Sequence, residues 1–172
     1  MADVKLVLLA ASHLDALTGL VDDPDVQRFT RVPVPPPAGF AATWLGRYEQ
    51  GRRDGTREAF AIEDDVDSSF LGIAVAPRID RDAATAELGY VVAPGARGRG
   101  VATDALGQLA AWGFTVIGML RLELLISVAN EPSKRVAARC GFTREGTMRS
   151  VSLRPGVRED TEIWSRLPGD PG

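Results

Sequence analysis

The chain has 172 residues, 45% of them hydrophobic, which suits a single domain spanning residues 1–172 around one core. Its formal net charge of −3 argues against a general nucleic-acid binder, because that affinity depends on a basic surface that neutralises phosphates. One cysteine and one histidine exclude an intramolecular disulfide and leave too few ligands for a Cys- or His-rich metal site, so no metal is expected.

The apolar segments of the chain are short. No stretch approaches 18 apolar residues, and the apolar run near the N-terminus is too short and wrongly flanked for a convincing signal peptide. We therefore expect a cytoplasmic protein that makes no membrane contact.

The N-terminal part of the chain predicts one strand and then helices. An apolar run at residues 4–10 predicts the strand, and Ser12 is the expected N-cap of a helix that reaches about Val21, with His13 as a structural residue in its first turn. A short helical turn at 25–30 and a helix at 38–53 follow. The proline-rich segment 32–37 excludes regular structure; it either connects these helices, which we favour, or folds over a cleft.

Three strands are predicted next, at residues 58–63, 70–78 and 85–92, and they form an antiparallel meander. The first two are joined by the acidic segment 64–69. Such a run could attract a cationic substrate, but a solvated hairpin tip is its commoner meaning.

The third of these strands leads through a Pro-Gly turn into a junction rich in glycine and arginine, residues 97–102, and then directly into an amphipathic helix. A helix start presents backbone N–H groups without intrahelical partners and about half a positive charge. Gly98 and Gly100 let a phosphate approach those groups, while Arg97 and Arg99 add charge. A phosphate-bearing ligand is the leading hypothesis, and a plain glycine-rich turn with two solvated arginines is the alternative.

Two common phosphate-binding motifs do not fit this junction. A Walker loop needs Gly-Lys-Ser or Gly-Lys-Thr, whereas Gly100 is followed by Val101 and Ala102. A dinucleotide-binding fold needs a third small residue three places after Gly100, where Thr103 stands, and an acidic residue at the tip of the next strand. Glu123 lies instead at the start of that strand.

The second half of the chain predicts a βαβ unit and a closing hairpin. The helix after the junction carries small and apolar residues on one face, namely Ala102, Ala105, Leu106, Leu109, Ala110 and Gly113. A strand at 121–128 follows, and a right-handed crossover makes it parallel to the strand at 85–92. Asn130 is a good N-cap and Gly141 a natural C′ residue for the next helix, and strands at 142–148 and 157–166 form the hairpin.

Two motifs carry a family resemblance. Arg97, Gly100 and Ala102 spell R-x-x-G-x-A after a strand that ends in two valines, and Asn130 and Ser133 spell N-x-x-S eight residues before a Gly-Phe pair. In both motifs the sequence resembles the GNAT N-acetyltransferases, and it is most similar to their ribosomal-protein-alanine N-acetyltransferase branch. The resemblance implies an α/β (α+β) fold with a mixed, mostly antiparallel sheet of about six to seven strands, a central parallel pair and flanking helices.

The resemblance also implies acetyl-coenzyme A (acetyl-CoA) as the cofactor. The residues that it places at the cofactor are Val91, Val92, Arg97, Gly98, Arg99, Gly100, Val101, Ala102, Asn130 and Ser133. The strand that ends at Val92 splays from its neighbour in this family, which leaves the Val92 N–H free for the thioester carbonyl. Glu87 is the implied general base, acting through a water, and a purely structural role for Glu87 is the alternative.

The resemblance also bears on the acid that would protonate the departing thiolate. Many relatives carry a tyrosine four residues before Gly141, where this chain has Ala137. Ser133 matches the serine that the most similar branch uses as an acid, although a hydroxyl can also simply donate a hydrogen bond to the sulfur. A further carboxylate of that branch corresponds to Ser152 here. Cys140, in the last turn of its helix, is expected to pack in the core.

The implied reaction is direct transfer of an acetyl group to a primary amine, with a peptide or protein N-terminus favoured. Neutralising a lysine-like amine at pH 7 costs about 4 to 5 kcal/mol, whereas a peptide α-amine needs only about 1 kcal/mol. An acceptor such as an antibiotic or a polyamine, or a non-catalytic acyl-CoA-binding module, is the alternative. The N-terminal helices and a loop at 149–158 would shape the acceptor site, and a homodimer is expected by analogy alone.

Overall fold

The computed structural model describes residues 3–171, in which helices alternate with the strands of one sheet. The strands are β1 (Val4–Leu8), β2 (Glu58–Asp64), β3 (Phe70–Asp80), β4 (Thr85–Val92), β5 (Arg121–Ser127), β6 (Thr143–Arg154) and β7 (Val157–Arg166). The helices are α1 (Leu14–Val21), α2 (Pro24–Phe29), α3 (Phe40–Asp54), α4 (Val101–Thr115) and α5 (Glu131–Arg139).

The sheet found within residues 3–171 has seven strands in the order β1-β2-β3-β4-β5-β7-β6. Neighbouring strands are antiparallel except for β4 and β5, which are parallel and central. Helix α4 connects this parallel pair, because parallel strands need a long crossover. The predicted mixed sheet with a central parallel pair is therefore confirmed.

Helices cover both faces of the sheet, and each face has its own apolar core. On one face α4 and α5 pack against the strands through residues such as Leu106 and Leu109, both fully buried. On the other face the packing residues of α1 and α3 include Leu17, Leu45 and Tyr48. Burying one leucine contributes about 1.5–3 kcal/mol, so the two cores hold the central strands firmly between them. No helix in residues 3–171 combines the length and the apolar character needed to cross a membrane.

Local sequence explains where α4 and α5 begin. Gly100 precedes α4 with a φ of +87°, a left-handed conformation that favours glycine. Asn130 caps α5 by accepting the Ser133 N–H at 3.2 Å, and Gly141 follows that helix with a φ of +74°. The predicted caps of α5 are confirmed. They place the N-termini of α4 and α5 directly after the central strands β4 and β5.

The prediction for the first helix is wrong at its start. Ser12 does not cap α1, because residues Ala11–His13 form a 3₁₀ turn and the helix begins only at Leu14. The Nδ1 atom of His13 accepts the N–H of Ala10 at 3.1 Å, which stabilises this turn. The predicted inner face of α4 is also off by one residue, since Val101 is buried there and Ala102 is partly exposed.

Strand β6 is longer than predicted and continues to Arg154. Its pairing with β7 is interrupted around Ser150, which has a φ of +54° and donates its N–H to Asp160 at 2.9 Å. A bulge of this kind inserts extra residues and lets the strand resume beyond it. Residues 149–158 therefore belong to a hairpin, and the expected loop is absent from this part of the described chain.

Candidate active site

The parallel strands β4 and β5 separate at the centre of the sheet. Among the described residues, they pair over residues 85–88 of β4 and 121–124 of β5 and then diverge. The Ala93 N–H donates to Leu71 O of β3 at 2.8 Å. Because amide directions alternate along a strand, the Val92 N–H points away from β3 and into the gap between β4 and β5. This gap is the splay that the sequence resemblance led us to expect.

The loop between β4 and α4 ends in a run of free backbone donors. Within residues 3–171, the N–H groups of residues 98–102 have no acceptor at hydrogen-bond distance. Bonding resumes at Thr103 and Asp104, whose N–H groups donate to Gly100 O at 3.0 and 3.1 Å. Five consecutive donors at a helix start suit a phosphate or a diphosphate.

Gly98 and Gly100 lie within this donor run, and both have a positive φ. Gly98 has a φ of +74°, and a Cβ placed on it would meet no protein atom within 4 Å. A side chain there would adopt a strained backbone conformation and would occupy space that a ligand can use. The Val101 side chain, in contrast, is only 1% exposed, so this residue offers its backbone alone.

Arg97 is held by other residues of the chain. Its guanidinium lies 2.7 Å from Asp23 and 3.0 Å from Asp25, and its Nε donates to Val92 O at 3.1 Å. Burial raises the pKa of Asp23, but hydrogen bonds from Arg97 and from the Val26 N–H more than offset this, so the net pKa is lowered. The arginine fork thus ties the donor loop to the start of α2.

Arg99 lies outside the cleft, and its pairing with an acidic residue in the described part of the chain is loose. Its side chain is 55% exposed, and its guanidinium is 4.0 Å from Asp64. The acidic segment 64–69 joins β2 to β3 as a hairpin tip and does not line the cleft described below. Arg99 therefore adds positive charge near the free amides, and its only loose pairing with Asp64 within residues 3–171 leaves it able to turn toward a ligand.

Ser133, at the start of α5, is bonded to a residue of β4. The Tyr90 hydroxyl donates to Ser133 Oγ at 3.1 Å, across 43 residues of sequence. Burial raises the pKa of Tyr90 to about 12, although the bond to Ser133 opposes this effect. The phenol therefore stays protonated at neutral pH and remains a donor.

Glu87 lies on the opposite face of β4 from Tyr90, because side chains alternate along a strand. Its carboxylate lines the cleft and its side chain is 20% exposed. Arg78 Nε lies 3.8 Å from Glu87, and the same guanidinium is closer to Glu123 of β5, at 3.1 Å. Glu87 thus keeps oxygen atoms available to a substrate or a water molecule.

A cleft of about 1900 Å³ joins these groups through the gap between β4 and β5. The predicted site residues that line it are Glu87, Val91, Val92, Arg97, Gly98, Gly100, Val101, Ala102, Asn130 and Ser133. On the other side it reaches α1–α3 and, of the proline-rich segment, Val32 and Pro33. Because a pocket for one small ligand typically has about 300–1000 Å³, this cleft has room for two substrates.

The remaining residues discussed from the sequence fall into two groups. Ala137 is fully buried and supplies no hydroxyl, and Cys140 is buried in the same core, where burial raises the pKa of its thiol. Both therefore pack. Ser152 lines the cleft, as does Glu159 on β7, which accepts a hydrogen bond from Ser127 Oγ at 2.9 Å.

Sequence reasoning missed Tyr90 as a site residue. Strand alternation placed Tyr90 on the face of β4 away from Glu87, and that signal was available. The sequence carries no signal for the contact of Tyr90 with Ser133, because the packing of α5 on the sheet decides which hydroxyl Tyr90 meets. The same holds for the contact of Arg97 with Asp23, which lies 74 residues away in sequence.

Comparison with known proteins identifies related sequences. The family model described as "Acetyltransferase (GNAT) domain" matches residues 3–143. The uncharacterized N-acetyltransferase YoaA of Bacillus subtilis (strain 168) is 30% identical over 80 residues, which are 46% of this chain and 45% of that relative. The chain thus spans somewhat less than half the length of this relative.

Two solved structures share the fold. One is RimL, a ribosomal L7/L12 alpha-N-protein acetyltransferase in complex with coenzyme A, with a TM-score of 0.88 and 20% identity over 97% of this chain and 95% of that one. The other is spermidine N-acetyltransferase from Vibrio cholerae in complex with CoA and spermine, with a TM-score of 0.86 and 19% identity over 99% of this chain and 98% of that one. At these identities the likeness concerns the fold.

Proposed function

Because the chain belongs to the GNAT family of acetyltransferases, we propose that it transfers acetyl from acetyl-CoA directly to a primary amine, with a peptide or protein N-terminus as the favoured acceptor. The observation that carries this proposal is the run of five free N–H groups at residues 98–102, next to the gap between β4 and β5. A diphosphate satisfies such donors, and the gap admits an extended chain.

The residues present fit coenzyme A. In our proposal the amides of residues 98–102 hold the diphosphate, with Arg99 as a nearby charge and Arg97 as the residue that fixes the loop. Val91 and Val92 flank the pantetheine arm, and Asn130 and Ser133 lie at its sulfur end. Bound acetyl-CoA supplies an activated thioester carbonyl and a thiol leaving group.

The two proposed catalytic side chains lie on opposite faces of the sheet. Glu87 takes the proton of the amine, through a water, on the face that α1–α3 cover. The Val92 N–H, in the gap, donates to the carbonyl oxygen as negative charge develops there. Ser133 donates a hydrogen bond to the sulfur on the face that α5 covers, which stabilises the departing thiolate until it takes a proton from water. The amine therefore approaches from one side of the sheet while the thiol leaves toward the other.

The chemistry of the amine favours one class of acceptor. An α-amine costs about 3 to 4 kcal/mol less to deprotonate at pH 7 than a lysine-like amine, so a single carboxylate base suffices for it. The RimL likeness supports such an acceptor, whereas the likeness to spermidine N-acetyltransferase supports a small-molecule amine as the second candidate.

A panel of amine acceptors, assayed by mass spectrometry with acetyl-CoA, tests this function. We expect N-terminal peptides to be acetylated, and Glu87→Gln to lower kcat by about 100-fold or more while KM for acetyl-CoA is unchanged. Glu123→Gln is the matched control, since Glu123 pairs with the same Arg78 but lies outside the cleft lining. Full activity of Glu87→Gln would exclude Glu87 as the base, and tight CoA binding without turnover of any amine would favour a non-catalytic binding module.

We also propose that residues 1–172 act as one acetyltransferase domain in the cytoplasm and associate as a homodimer. The lone cysteine is typical of a reducing compartment, and the dimer rests on analogy alone. Sedimentation velocity at several protein concentrations distinguishes one copy from two, and fluorescent tagging in the source cell tests the compartment.

A further inference from the structure

One buried hydroxyl in the acceptor half of the cleft has no hydrogen-bond partner among residues 3–171. Tyr48, on the inner face of α3, is only 5% exposed and lines the cleft. Its hydroxyl forms no hydrogen bond with the described part of the chain, yet it is not sealed from the cleft. Because burial raises the pKa of Tyr48 to about 12, the phenol is protonated at neutral pH and is a donor that a ligand can satisfy.

Three exposed arginines lie in the same half of the cleft. Arg31 follows α2, Arg47 lies on α3 beside Tyr48, and Arg57 precedes β2; all three line the cleft. Their positive fields act directly on the Tyr48 hydroxyl and lower its pKa against the effect of burial. Within residues 3–171, none of the three guanidinium groups takes part in an ion pair or a hydrogen bond. These groups therefore keep their full capacity for an anion.

Gly51 positions one of these arginines. A Cβ placed on Gly51 would lie 2.5 Å from Arg57 Cβ and 2.9 Å from Arg57 Cγ, so the arginine stem lies directly across the glycine. The Arg57 N–H also donates to Gly51 O at 3.2 Å. Gly51 follows Tyr48 by three residues on α3 and so shares its helix face. Packing therefore fixes the stem of Arg57 against the face of α3 that carries Tyr48.

Within residues 3–171, the carboxylates that line this end of the cleft form no ion pair with these three arginines. Asp54 accepts a hydrogen bond from Gln50 at 2.9 Å, and Asp80 accepts the Ala83 N–H at 2.9 Å. Asp82 lies next to Arg81 on the turn after β3. Glu87, the proposed base, is the carboxylate whose field also reaches Tyr48. The cluster thus adjoins the place where the acceptor amine is activated.

We propose that Tyr48, Arg31, Arg47 and Arg57 form a subsite for an anionic group of the acceptor, a carboxylate or a phosphate, carried near its amine. Guanidinium groups bind such anions in a forked geometry, and the phenol adds a further donor. This inference rests on the proposed acetyl transfer and narrows its acceptor to an amine on an acidic molecule. Three unpaired guanidinium groups repel a polycation such as spermidine.

Acceptors that share an N-terminal amine and differ in one anionic side chain separate the effect of the anion from that of the amine. We compare the peptide amides Ala-Asp-Ala and Ala-Asn-Ala, and in a second arm Ala-phosphoserine-Ala and Ala-Ser-Ala, with spermidine as the cationic acceptor. The expected result is a kcat/KM about tenfold or more higher for an anionic peptide than for its neutral partner, as charge-assisted hydrogen bonds provide. The arm with the larger ratio identifies a carboxylate or a phosphate as the preferred anion.

Variants assign the preference to these residues. Tyr48→Phe and Arg57→Gln should each move the ratio toward one, because they lower kcat/KM for the anionic peptide more than for its neutral partner. Arg149→Gln is the matched control, because Arg149 is exposed and lies outside the cleft lining. Calorimetric binding of the same peptides to Glu87→Gln measures the preference without turnover.

The two proposals fail in different ways. Absence of turnover for every acceptor contradicts the proposed function, and the calorimetric ratio still tests the subsite. Equal binding and equal rates for anionic and neutral peptides overturn the subsite, as does a preference for spermidine. So does a preference for anionic peptides that survives intact in both Tyr48→Phe and Arg57→Gln.

Discussion

At the scale of single residues, the hydroxyl of Ser133 depends on its neighbour. A serine hydroxyl has one hydrogen, and the phenol of Tyr90 is the more acidic partner, so Tyr90 donates across the 3.1 Å contact. The Ser133 hydrogen is then left to point elsewhere, toward the proposed sulfur position. Tyr90 acts in this account as a positioning residue, which compensates in part for the alanine at position 137.

We expect Tyr90→Phe to lower kcat about three- to tenfold, which corresponds to the loss of one neutral hydrogen bond. KM for acetyl-CoA should stay the same. Ser133→Ala should lower kcat at least as much, and the double variant should be no slower than Ser133→Ala alone. Steady-state kinetics of the four proteins measures this coupling. If the two effects multiply, Tyr90 does not act through Ser133.

At the scale of elements, the gap between β4 and β5 depends on how closely β3 packs against β4. Gly72 of β3 lies opposite Val92, with a φ of +151°, and a Cβ placed on it would lie 2.1 Å from Val91 O. A glycine is therefore required at this close approach. Any side chain there must push β4 away and move the Val92 N–H.

We predict that Gly72→Ala lowers the unfolding free energy by about 1–3 kcal/mol. It should also lower kcat, and by more than the unfolded fraction of the variant at the assay temperature accounts for. Gly107→Ala on α4, where an added Cβ meets nothing within 4 Å, should leave kcat unchanged and keep or raise stability. Urea unfolding and initial rates on both variants provide the comparison. Wild-type kcat in folded Gly72→Ala would contradict a role of strand position in catalysis.

Elements whose signals are local could be predicted from the sequence. The strands predicted at 85–92 and 157–166 match the bounds of β4 and β7, and the Asn130 cap gave the start of α5. The two clearest failures have different causes, one on a neighbouring strand and one in a local turn. The bulge at Ser150 needs the Asp160 side chain of the next strand, and a 3₁₀ turn bonded by His13 displaces the expected Ser12 cap.

The candidate site also combines features that local sequence predicts with contacts that it does not predict. The donor run at residues 98–102 follows from glycine placement and the helix start, so sequence alone predicts it. The contacts of Arg97 with Asp23 and of Tyr90 with Ser133 join residues 74 and 43 positions apart. Tertiary packing decides such contacts, so patterns of charge or hydrophobicity along the sequence do not predict them.

At the scale of the whole molecule, an ion pair ties the start of β5 to β6 across β7. The Arg121 guanidinium lies 2.7 Å from Glu145 Oε2 and its Nε lies 2.7 Å from Glu123. The hydrogen bond from Arg121, followed by that from Ser165, lowers the pKa of Glu145 to about 2 from an ordinary value near 4.5. This carboxylate is partly exposed, so its stabilising effect is small.

A depressed carboxyl pKa stabilises the fold above the unfolded value and loses this effect as pH falls through the folded value. We therefore expect Glu145→Gln to lower the unfolding free energy by at most about 1 kcal/mol above pH 5. The difference from wild type should shrink between pH 4.5 and 2 and vanish below. Urea unfolding at pH 7, 5, 3 and 2 measures it, and a difference that grows on acidification would contradict the ion-pair account.

In the proposed function, the backbone amides of residues 98–102 hold the diphosphate of coenzyme A at the start of α4. The most direct measurement is a ¹H–¹⁵N NMR titration of the full chain with coenzyme A. We predict that the amide signals of residues 98–102 shift the most and move downfield, as new hydrogen bonds form to phosphate. Unchanged signals for these five amides at saturating coenzyme A, or the largest shifts in another part of the chain, would contradict the account.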